Sequence, residues 1–182
     1  MACTYSFGGN LLDCKESAGG IKEIYIVDKS YISGFTIDGT TQKVLTITMA
    51  GVNKFKTYQI RRQTASLATT VTTSDTNGTT FFDTQLTFQI PKLSAAKRLE
   101  LLALAVGNMT VMIRDNNDSY WIIGLNNPVV LTAGSANSGT NFGDANGYSY
   151  TLQDINTVAP YEVTKSIIVG VTDSNISLPL PA

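Results

Sequence analysis

The alternation of apolar and polar side chains lays out most of this chain. From Phe82 to Ile90, Phe82, Thr84, Leu86, Phe88 and Ile90 share one parity, and Asp83, Gln85, Thr87 and Gln89 share the other. A period of two predicts a strand with one buried and one polar face. Upstream, Lys54 to Thr73 contains no proline or glycine and is rich in Thr, Val, Tyr and Gln. Tyr58 and Ile60 lie on one parity, and Ala65, Leu67, Thr69 and Val71 on the other. That change predicts one long strand bent by a bulge near Arg61 to Thr64. Asn77-Gly78 sits between the two runs, and this dipeptide favours the positive φ of a tight hairpin turn. The expectation is a long projecting β-hairpin over about residues 54–90, well beyond the ~5–6 residues of an ordinary strand.

Shorter runs flank it. Ile24 to Val27 suits a strand buried on both faces, and Tyr31–Ile37 and Val44–Met49 suit a hairpin across Asp38-Gly39, with Leu45, Ile47 and Met49 on one side. Met109–Arg114, Tyr120–Ile123, Pro128–Thr132, Tyr148–Leu152 and Ile167–Val169 add further strands, and Asp115–Asp118 a polar turn. The period lengthens in one place only. After Pro91, Ser94 can cap a helix whose Leu99, Leu102, Ala103 and Val106 recur at i, i+3, i+4 and i+7, predicting a buried stripe. Gly107 stands where a left-handed residue would end it. The fold class is therefore mainly β, a β-sandwich or barrel with one packed α-helix at about 94–106 and the projecting hairpin. Residues 1–20 read as an N-terminal arm, 21–175 as a single β-sandwich domain and 176–182 as a C-terminal tail.

Composition narrows the function. Charged residues make up 15% of the 182, against ~25% in an average globular domain, and net charge is −1. A surface built from Thr, Ser, Asn, Gln and Gly suits extensive partner contacts, because interface cores exclude charge. No cation cluster matches a nucleic-acid binder. There is no histidine, which removes the commonest proton shuttle and most catalytic zinc sites, and the expectation is a protein that is not an enzyme and needs no cofactor or metal. Asp144 and Asn146 have the spacing of calcium ligands, but Gly147 comes too early and Gln153 stands where that loop needs Glu. Gly134 to Gly147 lacks the Gly-Lys-Ser/Thr of a phosphate loop. Cys3 and Cys14 are too few for a disulfide scaffold; a local bridge and two unpaired thiols both remain open, and a cytosolic redox poise favours the thiols. Neither a secretory signal nor a membrane span is apparent, so assembly in a cytoplasm is expected.

With these pieces in place, a resemblance emerges. The order is the Asn-Gly hairpin, then QIPKLSAAKRLELLALAVGNMTVMIRDNNDSYWIIGLNNPVVLTAG, then SANSGTNFGDANGYSYTLQ. It resembles the tail-tube-like structural proteins of tailed bacteriophages over about residues 54–155, carried by Arg114 to Asn117, Tyr120 to Gly124, and Ser138-Gly139, Gly143-Asp144 and Asn146-Gly147-Tyr148. After Leu152 the chain departs from the family's acidic, proline-containing continuation. The resemblance implies a virion protein that self-assembles into rings around a DNA channel: the tail tube, a tail terminator, a head–tail connector ring or a collar ring. It implies a homo-oligomer touching neighbouring virion proteins, assembled in the host cytoplasm, with no membrane partner and with DNA passing through unbound. The hairpin would lend strands to a shared barrel. Asp83, Gln85, Thr87 and Gln89 would face the lumen, and Asn77, Gly78, Gly139, Phe142 and Asp144 would meet other copies. The alternative is a carbohydrate- or surface-binding β-sandwich module of a phage particle.

Overall fold

A computed structural model describes residues 17–173. Cys3, Cys14, most of the N-terminal arm and the tail at 176–182 lie outside the described residues. Among the described residues, eleven strands form two sheets. The larger sheet contains β1 (Ile21–Asp28), β2 (Ile32–Ile37), β3 (Val44–Met49), β4 (Lys56–Gln59), β7 (Met109–Asp115), β8 (Tyr120–Ile123) and β11 (Tyr161–Val163), in the order β2-β3-β11-β8-β7-β1-β4. The smaller sheet contains β5 (Ala65–Ser74), β6 (Thr79–Pro91), β9 (Val130–Asn137) and β10 (Gly147–Asn156), in the order β5-β6-β10-β9. The fold is mainly β, with helix α1 (Ala95–Val106) packed on it and a four-residue helical turn, α2 (Ile168–Val171), near the end.

The core divides about the larger sheet. Between the sheets, Ile24, Ile26, Val111 and Ile113 meet Leu86, Phe88, Tyr150 and Leu152, and Leu104 of α1 joins them. On the far side, Tyr25, Val27, Met112 and Ile122 meet Val44, Ile47, Phe55, Ile168 and Val171. β1 and β7 are thus apolar on both faces, as the unbroken run Ile24 to Val27 requires.

Several expectations need correction. The predicted strand 54–73 is two strands in different sheets: β4 pairs with β1, and β5 with β6. The parity change at Arg61 to Thr64 is a crossing between sheets, not a bulge. Asn77-Gly78 belongs to a four-residue connection from Ser74 to Thr79, and positive φ falls on Gly78 alone of this pair. Leu45 is exposed, because the ladder of β2 and β3 shifts between Thr36 and Ile37 and leaves it as the extra residue. Ile167–Val169 is helical, since Val171 and Ile168 fill the second core from a turn rather than a strand. Gly107 has φ −83, so it is not left-handed; its bare Cα is needed because a Cβ would meet the Ala103 carbonyl oxygen at 2.9 Å. β9 continues to Asn137, through residues whose Gly/Ser/Asn content suggests a loop.

The largest correction concerns α1. Its range and its Ser94 N-cap, which accepts from the Lys97 N–H, match the pattern. The apolar stripe, however, faces away from the sandwich. Leu99, Leu102 and Val106 are 59%, 61% and 81% exposed, while Leu104 and the half-buried Leu101 make the contact with the core. The period was legible; which of two apolar faces turned inward was not.

Candidate assembly surface

The smaller sheet presents its outer face to solvent. Registers place Ser66, Thr87, Thr151 and Ala133 in one row across four strands, and Ala68, Gln85 and Gln153 in the next. Gln89, Ser149 and Ser135 form a third, and Thr70, Asp83 and Ile155 a fourth. Asp83, Gln85, Thr87 and Gln89 therefore share this face, as their parity demands. The face carries no cation in these rows. Its one acid, Asp83, accepts from Gln153 Nε2 at 2.9 Å and from Gln85 Nε2 at 3.4 Å, so neighbouring amides meet its charge within the sheet.

Both edges of this sheet are long and free of charge. β5 reads ASLATTVTTS and β9 reads VLTAGSAN. Neither contains a lysine, acid or proline, the residues that commonly blunt an edge. The larger sheet's edges differ. β2 is interrupted by two register shifts, and β4 is four residues long and bears Lys56. Among the described residues, unpaired N–H and C=O groups are thus offered most regularly by β5, and over a long stretch by β9, whose ladder with β10 shifts once at Thr132.

The remaining candidates lie at opposite ends of the smaller sheet. Asn77 and Gly78 form the exposed turn before β6; Gly139, Phe142 and Asp144 belong to the connection before β10, whose first residue Gly147 pairs with Pro91 at the far end of β6. A strand of 13 residues separates them by about 40 Å. In the far loop Asp144 Oδ2 accepts from the N–H groups of Asn141 at 2.7 Å and Thr140 at 2.8 Å. Those two N–H groups hold the Asp144 carboxyl below the usual carboxylate range. Gly139 turns the chain at φ 74, where a Cβ would also strike Asp144. Phe142 stands fully exposed at the apex.

The structure adds residues that sequence reasoning missed. Asn146 clamps the loop to the strand end: its carbonyl accepts from the Lys92 N–H at 2.7 Å and its Oδ1 from the Leu93 N–H at 3.1 Å. A depression of about 580 Å³ beside it is lined by Arg61, Gln89, Lys92, Asn137 and Asp144 among others. Lys97 lies behind that rim and donates to the carbonyl of Pro91. Burial, then Lys92 and Arg61, depress its pKa. The sequence matches no family model and no curated protein. Among the described residues, no three acid or thiol side chains are gathered to hold a metal ion, and no helix is long and apolar enough to cross a membrane.

On α1, the charged groups bend inward. Tyr58 donates its hydroxyl to Glu100, and Lys97 reaches Pro91 and Lys92 carbonyls. The outward side is left to Leu99, Leu102, Ala103 and Val106, with Arg98 the only cation there. A helix apolar on both sides asks for cover on both.

Proposed function

We propose that this chain is a virion structural protein whose copies assemble into rings, stacked as the tail tube or set as a tail or connector ring around the DNA channel of a tailed phage. The observation that carries this reading is the smaller sheet: an outer face with no cation in its rows and a single acid, Asp83, bounded by two long, uncharged edges, β5 regular and β9 with one register shift. Its four strands alternate in direction, so β5 and β9 run antiparallel to each other. Rotation of a copy about an axis beside the sheet brings β9 against the next copy's β5 in antiparallel sense. The contact is head-to-tail and closes when the rotation completes a circle. A barrel shared among copies then has no edges.

Magnitudes favour a closed ring over a pair. An eight-residue ladder makes about eight hydrogen bonds, worth on the order of 4–12 kcal/mol net at ~0.5–1.5 each. Association costs ~4–15 kcal/mol in lost freedom. One junction is marginal; a ring gives each copy two, and stacking adds more. The outer face would line the lumen, where the rows of Gln, Ser and Thr offer phosphates no fixed cation, Arg61 and Lys92 standing only at its end beside Gln89. The Asn77-Gly78 turn and the Phe142 loop, at the sheet's two ends, would meet adjoining rings.

Electron microscopy of the purified chain over a concentration series tests this. Rings or tubes are expected; monodisperse monomers at every concentration would overturn it, and glycan binding by such a monomer would favour the carbohydrate-binding alternative. Gln85→Lys with Gln89→Lys tests the lumen. Particles bearing both should assemble but release DNA slowly, and unaltered release would place this face elsewhere.

A further inference from the structure

Among the described residues, every acid accepts a hydrogen bond or pairs with a cation, except Asp75. Asp75 opens the turn that runs to Gly78, and all four residues of that turn are exposed. The ribbon carrying it outruns the sheet. β10 stops pairing with β6 at Phe82, whereas β5 and β6 pair on through Phe81 and Thr80 to Thr79. Those three further rungs carry the tip roughly 10 Å past β10, at ~3.3 Å each.

The far end of the sheet has the opposite character. Arg61 and Lys92 line the depression of about 580 Å³ beside Asn146. Among the described residues, neither pairs with an acid. Lys97 stands behind them, its pKa depressed by burial and then by Lys92 and Arg61. Asp144 also lines the depression, but its carboxylate is turned to the N–H groups of Thr140 and Asn141. Lys92 is fixed at the rim by its own backbone. Its φ is +68, where residues other than glycine are uncommon, and its N–H bonds to the Asn146 carbonyl at 2.7 Å. Cations gathered without a counter-charge repel one another, and an anion seated among them relieves that repulsion. The groove beside α1 differs: Lys54 and Lys56 share it with Asp28, Glu100 and Asp173, so it has no excess of cations.

We propose that the Asp75–Gly78 tip of one copy seats in this depression on a copy of the adjoining ring, with the Asp75 carboxylate between Arg61 and Lys92. The contact rests on the ring reading, which sets copies end to end along the strands. A projecting tip and a hollow at opposite ends of one sheet make a head-to-tail contact that repeats without closing, so rings stack into a tube. The carboxylate suits the paired N–H groups of a guanidinium. Thr76 and Asn77 bring short polar side chains to the amides of Gln89 and Asn137. Seating the tip also neutralises the cations that stand beside the lumen rows. Salt screens charges at the ring ends, so sodium chloride weakens stacking while closure through β5 and β9 persists.

Electron microscopy of the purified chain and of charge-swapped variants tests the contact. Asp75→Lys should yield separate rings where the parent yields tubes, with ring-to-ring association weakened at least about tenfold. Arg61→Asp with Lys92→Asp should do the same, and the three substitutions together should restore tubes. Aspartate tolerates the left-handed backbone at position 92 better than lysine does. Tubes of parental length from Asp75→Lys overturn the contact and leave the ring reading standing, as do parent rings that never stack. Loss without restoration by the swap also overturns it, because those cations would then be meeting another anion, phosphate included. Parent monomers at every concentration overturn both readings. Should the variants not fold, a zero-length carbodiimide applied to the parent assembly answers instead. Asp75 and Lys92 lie at opposite ends of one copy, so an amide between them joins two copies. That crosslink in peptide digests supports the contact, and crosslinks that join Asp75 only to other lysines, or not at all, refute it.

Discussion

At the scale of single residues, the Asp154 carboxyl is buried between the sheets. Its Oδ2 accepts from the Gly124 N–H at 3.1 Å, and its Oδ1 has no well-formed hydrogen bond. Burial raises its pKa, against the pull of that N–H, Asn156 and the Lys29 ammonium. The consequence has a definite sign. Below the ordinary carboxylate pKa, folded and unfolded chains both carry the proton and nothing is lost. As pH rises above that value the unfolded chain ionises first, and folding loses stability until Asp154 itself ionises. Asp154→Asn keeps an acceptor for Gly124 and removes the titration. Melting curves at acid and neutral pH should therefore show the variant gaining stability relative to the parent as pH rises from about 3, below the ordinary carboxylate pKa, toward neutrality; a gap that does not change with pH would refute the argument. Gly147 belongs to the same scale. A Cβ there would lie 2.9 Å from Pro91 Cα and closer still to the Ile90 carbonyl. Gly147→Ala must part β10 from β6, and denaturant unfolding should show a loss of about 1–3 kcal/mol, the cost of overpacking.

At the scale of elements, α1 separates what a periodic pattern reveals from what it leaves open. Leu99, Leu102, Ala103 and Val106 are spaced as a stripe, and so are Lys97, Leu101 and Leu104. Only the second meets the sandwich, where Leu101 closes on Gly134 of β9. Nothing local distinguishes them, because the choice is set by a strand some thirty residues further on. β6 was legible for the opposite reason: its alternation has one apolar face and one polar face, so only one orientation buries carbon. Of β9 only the start was, as part of the strand expected at Pro128–Thr132; beyond Thr132 small polar residues at an exposed edge resemble a loop in composition. The two-sided α1 yields a prediction of its own. Leu99→Glu with Leu102→Glu replaces exposed leucines, so monomer stability should change by no more than ~0.5 kcal/mol. If α1 is covered when copies associate, the same pair should abolish sedimenting assemblies. A destabilised monomer would show instead that these residues already support the fold.

At the scale of the whole molecule, charge is placed where copies would not meet through the smaller sheet. Ion pairs concentrate on the larger sheet: Arg114 with Glu23 and Asp118, Lys43 with Glu162, Lys56 with Asp173. β5, β9 and the rows between them hold a single acid, Asp83, already engaged by two amides. Association through those edges would rest on backbone hydrogen bonds and on burial of Ala, Val, Leu and Thr surface. Neither is screened by ions, whereas contacts between exposed charges weaken as the Debye length falls from about 10 Å at 0.1 M salt to about 3 Å at 1 M. Burial is strengthened by excluded anions such as sulfate. Sedimentation of the purified chain should therefore show an assembly threshold that barely moves with sodium chloride and drops in sodium sulfate. Assemblies that dissolve as sodium chloride rises would require a charged interface, and the larger sheet, not β5 and β9, would then be where copies meet.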